Sequence, residues 1–447
     1  MRPSLHLSGL AFFASVWAAC AATSPAETPR IPAALKTPEV ADEAFVSDDD
    51  LLIKDGFTLK GGVRLSPAEV RADVSILVYA LQNAFVGKGI VPDASYLETL
   101  SRLKGVVEAA GAGDSSESLC GRLAGALSAI GEVPHLAVSL EGYRCLPPGV
   151  VAEETAPSVG RNIMEEPSDP RPPGRTDVST RPAGLFWTPS VDIPWKIEWR
   201  DVGGARVPVL GIREFHPFAH PAWRGLWDRM GALLRESPAV ILDLRGNEGG
   251  DYEPGCHLAR FFWGQEYPTP ATHRTALDTA AACALAYNAK KIRLLASELN
   301  GLPEPAYLQE DMRKDMEGFL AAKSSATQAV ESFEFSRPTI ERRKLFRRPI
   351  YVLADERCAS ACELALLCLR EHPRVRILGR STQGSYRFGN VGVLVLPNSQ
   401  IVVQVPRRFL FIKGREPRDA AGLEPDLLVP VETDAIEAAL DALGREL

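Results

Sequence analysis

Two apolar runs constrain this 447-residue chain more than anything else in it: Pro238-Ala239-Val240-Ile241-Leu242-Asp243-Leu244 and Pro349-Ile350-Tyr351-Val352-Leu353-Ala354. Neither alternates apolar with polar residues, so neither reads as a strand with one wet face. Both read as strands covered on both faces, the pattern of a mainly parallel sheet with helices on either side. Val207-Pro208-Val209-Leu210-Gly211-Ile212 reads as a further strand. The runs Val391 to Leu396 and Ile401 to Val405 read as a hairpin around Pro397-Asn398-Ser399-Gln400. A sheet of this kind needs a large core, and 45% apolar residues over this length supply one with a smaller satellite beside it.

Helical pattern lies elsewhere. Leu65-Ser66-Pro67-Ala68-Glu69 is a helix start in which Ser66 caps, Pro67 suits the first turn, Glu69 returns to the cap and Leu65 staples onto Val70. Val70, Val74, Leu77, Val78 and Leu81 follow at helical spacing, with more helix from Tyr96 to Ile130. The order along the chain is then a signal peptide over 1–22, an exposed linker over 23–55 and a helical domain over 56–145. A proline-rich linker over 146–182 precedes an α/β core over 183–435, which carries a mainly helical insertion at 271–332, and a C-terminal helix fills 436–447.

The first residues place a basic Arg2 before an apolar run from Leu7 to Trp17 and small residues around Ala19-Cys20-Ala21, the layout of a secretory signal peptide. Trp17-Ala18-Ala19-Cys20 also resembles a bacterial lipobox with Trp where Leu is usual, which implies a lipid anchor on Cys20 as the alternative to plain cleavage. The expected location is therefore outside the cytoplasm: periplasmic, lipid-anchored or secreted. No later stretch is apolar for the eighteen or so residues that a membrane span needs. Net charge is −7 without a Lys/Arg block, so the chain lacks a nucleic-acid footprint. Eight cysteines in an exported chain permit disulfides, and seven remain once Cys20 is removed or lipidated.

Chemistry concentrates at two turns. In Leu244-Arg245-Gly246-Asn247-Glu248-Gly249-Gly250 a buried strand ends in two glycines, which let the backbone turn tightly and point N–H groups at a ligand. Taken alone, this is an ordinary strand-ending turn. In Glu356-Arg357-Cys358-Ala359-Ser360-Ala361-Cys362-Glu363 a strand gives way to a helix expected from Ala361 to Glu371. Ser360 then stands at the helix N-terminus, where free N–H groups favour developing negative charge, although a serine there is most simply a cap. Cys358 and Cys362 compete with it as nucleophiles, since a thiol at a helix N-terminus has a lowered pKa. Four residues apart on a helix they pair with each other only under strain, so separate partners among Cys256, Cys283 and Cys368, or free thiols, are expected.

Together with Gly379-Arg380-Ser381-Thr382-Gln383-Gly384 and Gly422-Leu423-Glu424-Pro425-Asp426, these turns resemble the C-terminal processing (tail-specific) serine peptidases and their relatives with the tricorn core. Four elements in the same order carry the resemblance, over roughly residues 185 to 430. It implies a crotonase/ClpP-like α/β peptidase core, a polypeptide substrate and no cofactor. It also implies Ser360 as nucleophile, with oxyanion donors from the N–H groups of Gly250 and Ala361 and Gly249 as the neighbouring alternative. Tail-specific relatives place a lysine base 25 residues after the serine; here that position is Ser385, and the only lysine after Ser360 is Lys413. The tricorn-type branch instead uses a histidine from before the core and a late carboxylate. By that resemblance His135, in Gly131-Glu132-Val133-Pro134-His135, takes the base position, and Asp419 takes the acid position with Glu416 the alternative. Such a relay hydrolyses peptide bonds, and a protein without it would bind peptides or hydrophobic ligands on the same fold. Where the family inserts a PDZ domain, only the proline-rich linker and a short strand region stand, so no complete PDZ domain is expected. His216 and His220 share a loop with no evident third ligand, which argues against a metal site.

Overall fold

A computed structural model describes residues 46–54, 63–140, 143–149, 193–218, 220–265, 271–299, 306–324, 329–333, 344–412 and 422–446. The expected signal peptide with Cys20, most of the proline-rich linker, and Lys413, Glu416 and Asp419 lie outside these residues. In chain order the elements begin with β1 (Arg64–Leu65), α1 (Pro67–Asn83), α2 (Asp93–Glu108), β2 (Asp114–Ser115), α3 (Ser116–Leu127), β3 (Ala137–Leu140) and β4 (Tyr143–Arg144). Next come β5 (Trp195–Val202), β6 (Ala205–Ile212), α4 (Arg224–Glu236), β7 (Val240–Asp243), α5 (Tyr252–Trp263), β8 (Ala271–Asp278), α6 (Ala280–Leu299), α7 (Ala306–Ser324) and β9 (Ala329–Phe333). The chain ends with β10 (Ile350–Ala354), α8 (Ala361–Arg370), β11 (Val375–Gly379), β12 (Phe388–Val395), β13 (Val402–Ile412), β14 (Leu427–Leu428) and α9 (Ala435–Gly444).

The two apolar runs become β7 and β10, neighbours in a six-stranded sheet ordered β14-β11-β10-β7-β6-β5. They run parallel, with Ile350 opposite Val240 and Leu353 opposite Asp243, and every residue of both is buried. β11 continues the parallel set on the other side of β10, and β5 closes the far edge as an antiparallel hairpin with β6. Helices α4, α5 and α8 cover one face through Leu226, Met230, Leu258, Phe262, Leu366 and their neighbours. Helix α9 covers the other face through Ile436, Ala439 and Leu443. This is the α/β class that the uninterrupted apolar runs imply.

A second sheet is built on β13, which pairs with β12 along one side and with β3 and β8 along the other, β4 and β9 lying outside those. Helices α1, α2, α3 and α6 pack on it in one hydrophobic cluster. Ser66 caps α1 as its sequence indicates, with Glu69 accepting from the Ser66 N–H at 2.7 Å and the Ser66 hydroxyl accepting from the Glu69 N–H at 3.3 Å. The turn of the β12–β13 hairpin is gripped by buried Asp73, which accepts from the N–H groups of Asn398 and Ser399.

Two features depart from the sequence reading. The end of the segment expected to be an exposed linker is packed, because Leu51 and Ile53 are buried and Asn288 bonds to the backbone of both. Helices α6 and α7 fill most of the expected helical insertion, but strands β8 and β9 pair antiparallel at its two ends.

Candidate active site

Sheet order explains why four separated motifs meet. One leaves the carboxyl end of β7, one that of β10, one begins at the end of β11, and the last leads into β14. These are four consecutive neighbours in the sheet. The carboxyl ends of parallel strands are where α/β sheets open a crevice for chemistry.

The turn after β7 is fixed by its own side chains. Arg245 folds back onto Asp243 with Nε 2.8 Å from Oδ1 and Nη2 2.9 Å from Oδ2, a buried bidentate pair. Asn247 donates through Nδ2 to the Ile212 carbonyl, accepts through Oδ1 from the Gly249 N–H at 2.9 Å, and accepts through its own carbonyl from the Ala359 N–H. It therefore joins the glycine turn to the Ser360 turn. Gly249 and Gly250 have φ of 103° and 120°, in the region open to glycine. A Cβ on Gly249 would stand 3.0 Å from both the Ala361 nitrogen and the Ser360 Cβ, so the two turns touch. The Gly249 N–H is occupied by Asn247, and the first N–H of α8 is that of Ala361.

Ser360 has φ 53° and ψ −111°, a left-handed conformation that a plain helix cap does not need. The Glu363 carboxylate accepts from the Ser360 N–H at 2.9 Å, as in a capping box, but the Ser360 hydroxyl makes no cap hydrogen bond of its own. The serine is thus held by its backbone, and its oxygen faces the Glu363 N–H across the capping box without a cap hydrogen bond.

Glu363 is the hub that the sequence reading passed over. Fully buried, it accepts from Thr382 Oγ1 at 2.5 Å, from the N–H groups of Gly384 and Ser385 at 2.7 and 2.8 Å, from Ser385 Oγ at 3.1 Å and from the Ser360 N–H. Burial pushes its pKa up and these donors pull it down. The Ser-x-x-Glu spacing of a capping box was the available signal. Thr382 also ties in the last motif, accepting at Oγ1 from the Leu423 N–H, while a Cβ on Gly422 would strike the Thr382 carbonyl oxygen at 1.8 Å.

Ser385, in the position where tail-specific relatives carry lysine, accepts from the Ser360 N–H at 2.8 Å through its hydroxyl. Its backbone also lies against the imidazole of His135 and favours the charged form of that ring. His135 arrives from the second sheet, just before β3, with φ 67° after Pro134. Burial lowers its pKa to about 4, against the pull of the Ser385 backbone. Its Nε2 is buried without a hydrogen-bond partner. The structure thus brings Ser360, Ser385 and His135 into one chain of contacts. Asp419 and Glu416 fall outside the described residues.

The cysteines correct the sequence reading. Cys358 and Cys362 form a disulfide with each other, their Cα atoms 5.5 Å apart, and so enclose Ser360. Cys358 precedes α8 instead of belonging to it, and the left-handed turn at Ser360 folds the chain back far enough for the two to meet. A second disulfide joins Cys120 to Cys145. The rings of His216 and His220 meet at a tilt of 48° with centroids 4.5 Å apart, and His220 accepts from the Ala222 N–H. Among the described residues no group of three or more His, Cys, Asp or Glu side chains is arranged to hold a metal ion.

The solved structure of mature CPAF aligns at a TM-score of 0.50 and 15% identity, over 85% of this chain and 97% of its own. A lipoprotein from Streptococcus agalactiae aligns at 0.42 and 12%, over 88% and 100%. The photosystem II D1 C-terminal processing protease aligns at 0.31 and 16%, over 56% and 52%. At its identity the match to mature CPAF is a likeness of fold alone. No curated protein matches the chain in sequence. The model of peptidase family S41 matches residues 209–429, the stretch that holds all four motif turns, and through it the chain belongs to that family.

Proposed function

We propose that the protein is an exported serine endopeptidase in which Ser360 is the nucleophile and His135 its general base. The observation that carries this reading is the Ser360 turn: a serine held at a positive φ, beside a glycine turn and linked through Ser385 to a half-buried histidine. A serine hydroxyl attacks a carbonyl at neutral pH only when a base takes its proton. In this reading His135 takes it at Nε2 as Ser360 Oγ bonds to the peptide carbonyl carbon. The oxyanion rests on the Gly250 and Ala361 N–H groups, and Gly249 shapes the turn that presents them. The imidazolium then protonates the leaving amine, and water, deprotonated by His135, releases the acyl group. Asp419, with Glu416 the alternative, is the carboxylate proposed to stabilise the imidazolium.

Export is supported by the two disulfides, which persist in oxidising compartments, and by the signal-peptide pattern. Among the described residues no helix is long and apolar enough to cross a membrane. A lipid on Cys20 would anchor the protein to one.

A fluorophosphonate probe tests the assignment. The wild-type protein is expected to label, Ser360→Ala not at all, and His135→Ala at least roughly 10²-fold more slowly with an unchanged melting temperature. Undiminished labelling of Ser360→Ala, or none in the wild type, would sink it.

A further inference from the structure

Among the described residues three cysteines remain outside the two disulfides: Cys256, Cys283 and Cys368. Two of them are neighbours. Cys256 on α5 and Cys368 on α8 hold their sulfurs 3.4 Å apart, across 112 residues of sequence. The helices that carry them cross closely, because a Cβ added to Gly255 would stand 2.7 Å from the Ala365 Cβ. Ala365 and Cys368 are three residues apart and share a helix face. The Cys368 backbone is also fixed, its carbonyl accepting from Trp263 Nε1 at 3.1 Å. Cys256 is half-buried and reachable, whereas Cys368 is buried.

We propose that Cys256 and Cys368 form a third disulfide, which staples α5 to α8. Closing the gap to a bonded distance of about 2 Å asks for a small adjustment of side chains already in contact. The oxidant is an external disulfide, either oxidised glutathione or the active-site disulfide of a thiol oxidoreductase. The Cys256 thiolate attacks one of its sulfurs, forming a mixed disulfide and releasing one thiol. Cys368 then loses its proton and attacks Cys256 Sγ, displacing the second thiol. Two protons and two electrons leave the pair, and the external disulfide is reduced to two thiols. Cys283, its thiol pushed up to about 12 by burial, stays reduced. The odd cysteine of an exported chain is thereby accounted for.

The staple has a structural reach. Helix α5 starts directly after the glycine turn and α8 starts at Ser360, so the link fastens together the two helices that hold those turns. It does not depend on the protein being a peptidase, because its readout is the state of three thiols.

The test is thiol mapping of the full chain after exposure to oxidised glutathione, by alkylation in denaturant and peptide mass analysis without reductant. A linked peptide pair containing Cys256 and Cys368 is expected, with Cys283 alkylated. Alkylation of both Cys256 and Cys368, or a link from either to another cysteine, overturns the proposal. In Cys256→Ser, Cys368 is expected to become alkylatable and the melting temperature to fall by several degrees relative to the oxidised wild type. A linked wild type that melts with the variant overturns the stapling role.

Discussion

His135 combines a strained backbone with an imidazole that resists protonation. In the unfolded chain its pKa returns to the ordinary 6.5, against about 4 when folded, so unfolding takes up a proton between those values. Its contribution to stability is complete above pH 6.5 and is lost as pH falls toward 4. We predict that urea midpoints of the wild type decline over this window relative to His135→Ala. The acid limb of Ser360 labelling is expected near pH 4, because the free base stays neutral until then. A limb at pH 6.5 would show an exposed, ordinary histidine. Motif order names Ser360, Gly249 and Gly250 as candidates and the tricorn-type resemblance adds His135, and the fold brings the segments that carry them together. What Ser385 does was not legible. Its sequence shows only the lysine that is missing, whereas its hydroxyl and backbone act through contacts made after folding.

The strand–turn–helix units β7–α5 and β10–α8 were readable because uninterrupted apolar runs, glycines and a capping serine each leave a local mark. The Cys358–Cys362 ring was not, since it depends on one left-handed residue between them, and no local propensity announces a serine at φ 53°. The glycine turn offers a test at this scale. In Gly249→Ala the new Cβ would lie 2.7 Å from the Ala359 carbonyl oxygen, at a φ of 103°. Relief requires moving the Ser360 turn itself. We expect a stability cost of about 1–3 kcal/mol from strain and a loss of labelling of roughly 10²-fold from the displaced oxyanion donors. Gly203→Ala, at φ 57° with open space around it in the β5–β6 turn, serves as control. It should cost about 1–2 kcal/mol and leave labelling intact. Equal labelling in both variants would mean that the glycine turn is only a connection.

Across the molecule, Ser360 and His135 belong to different hydrophobic cores. The Ser360 turn is rooted in the first sheet and its cluster, and His135 is carried by the cluster of α1, α2, α3 and the second sheet. The chain passes between them at Ser385, for Tyr386 packs in the first cluster and Phe388 in the second. The site is assembled where the two meet. In a urea titration, Ser360 labelling is therefore expected to disappear at lower denaturant than far-UV circular dichroism, because slippage between the cores separates the proposed base from the proposed nucleophile while both sheets persist. Coincident transitions would show the cores unfolding as one unit.

The stretch matched by the peptidase model begins at residue 209, and His135 lies well before it. The proposed nucleophile therefore lies inside the stretch that marks the family, and its proposed base outside it. A lineage could keep every residue that the family model matches and still lose the proposed base through one change in the short segment that leads into β3.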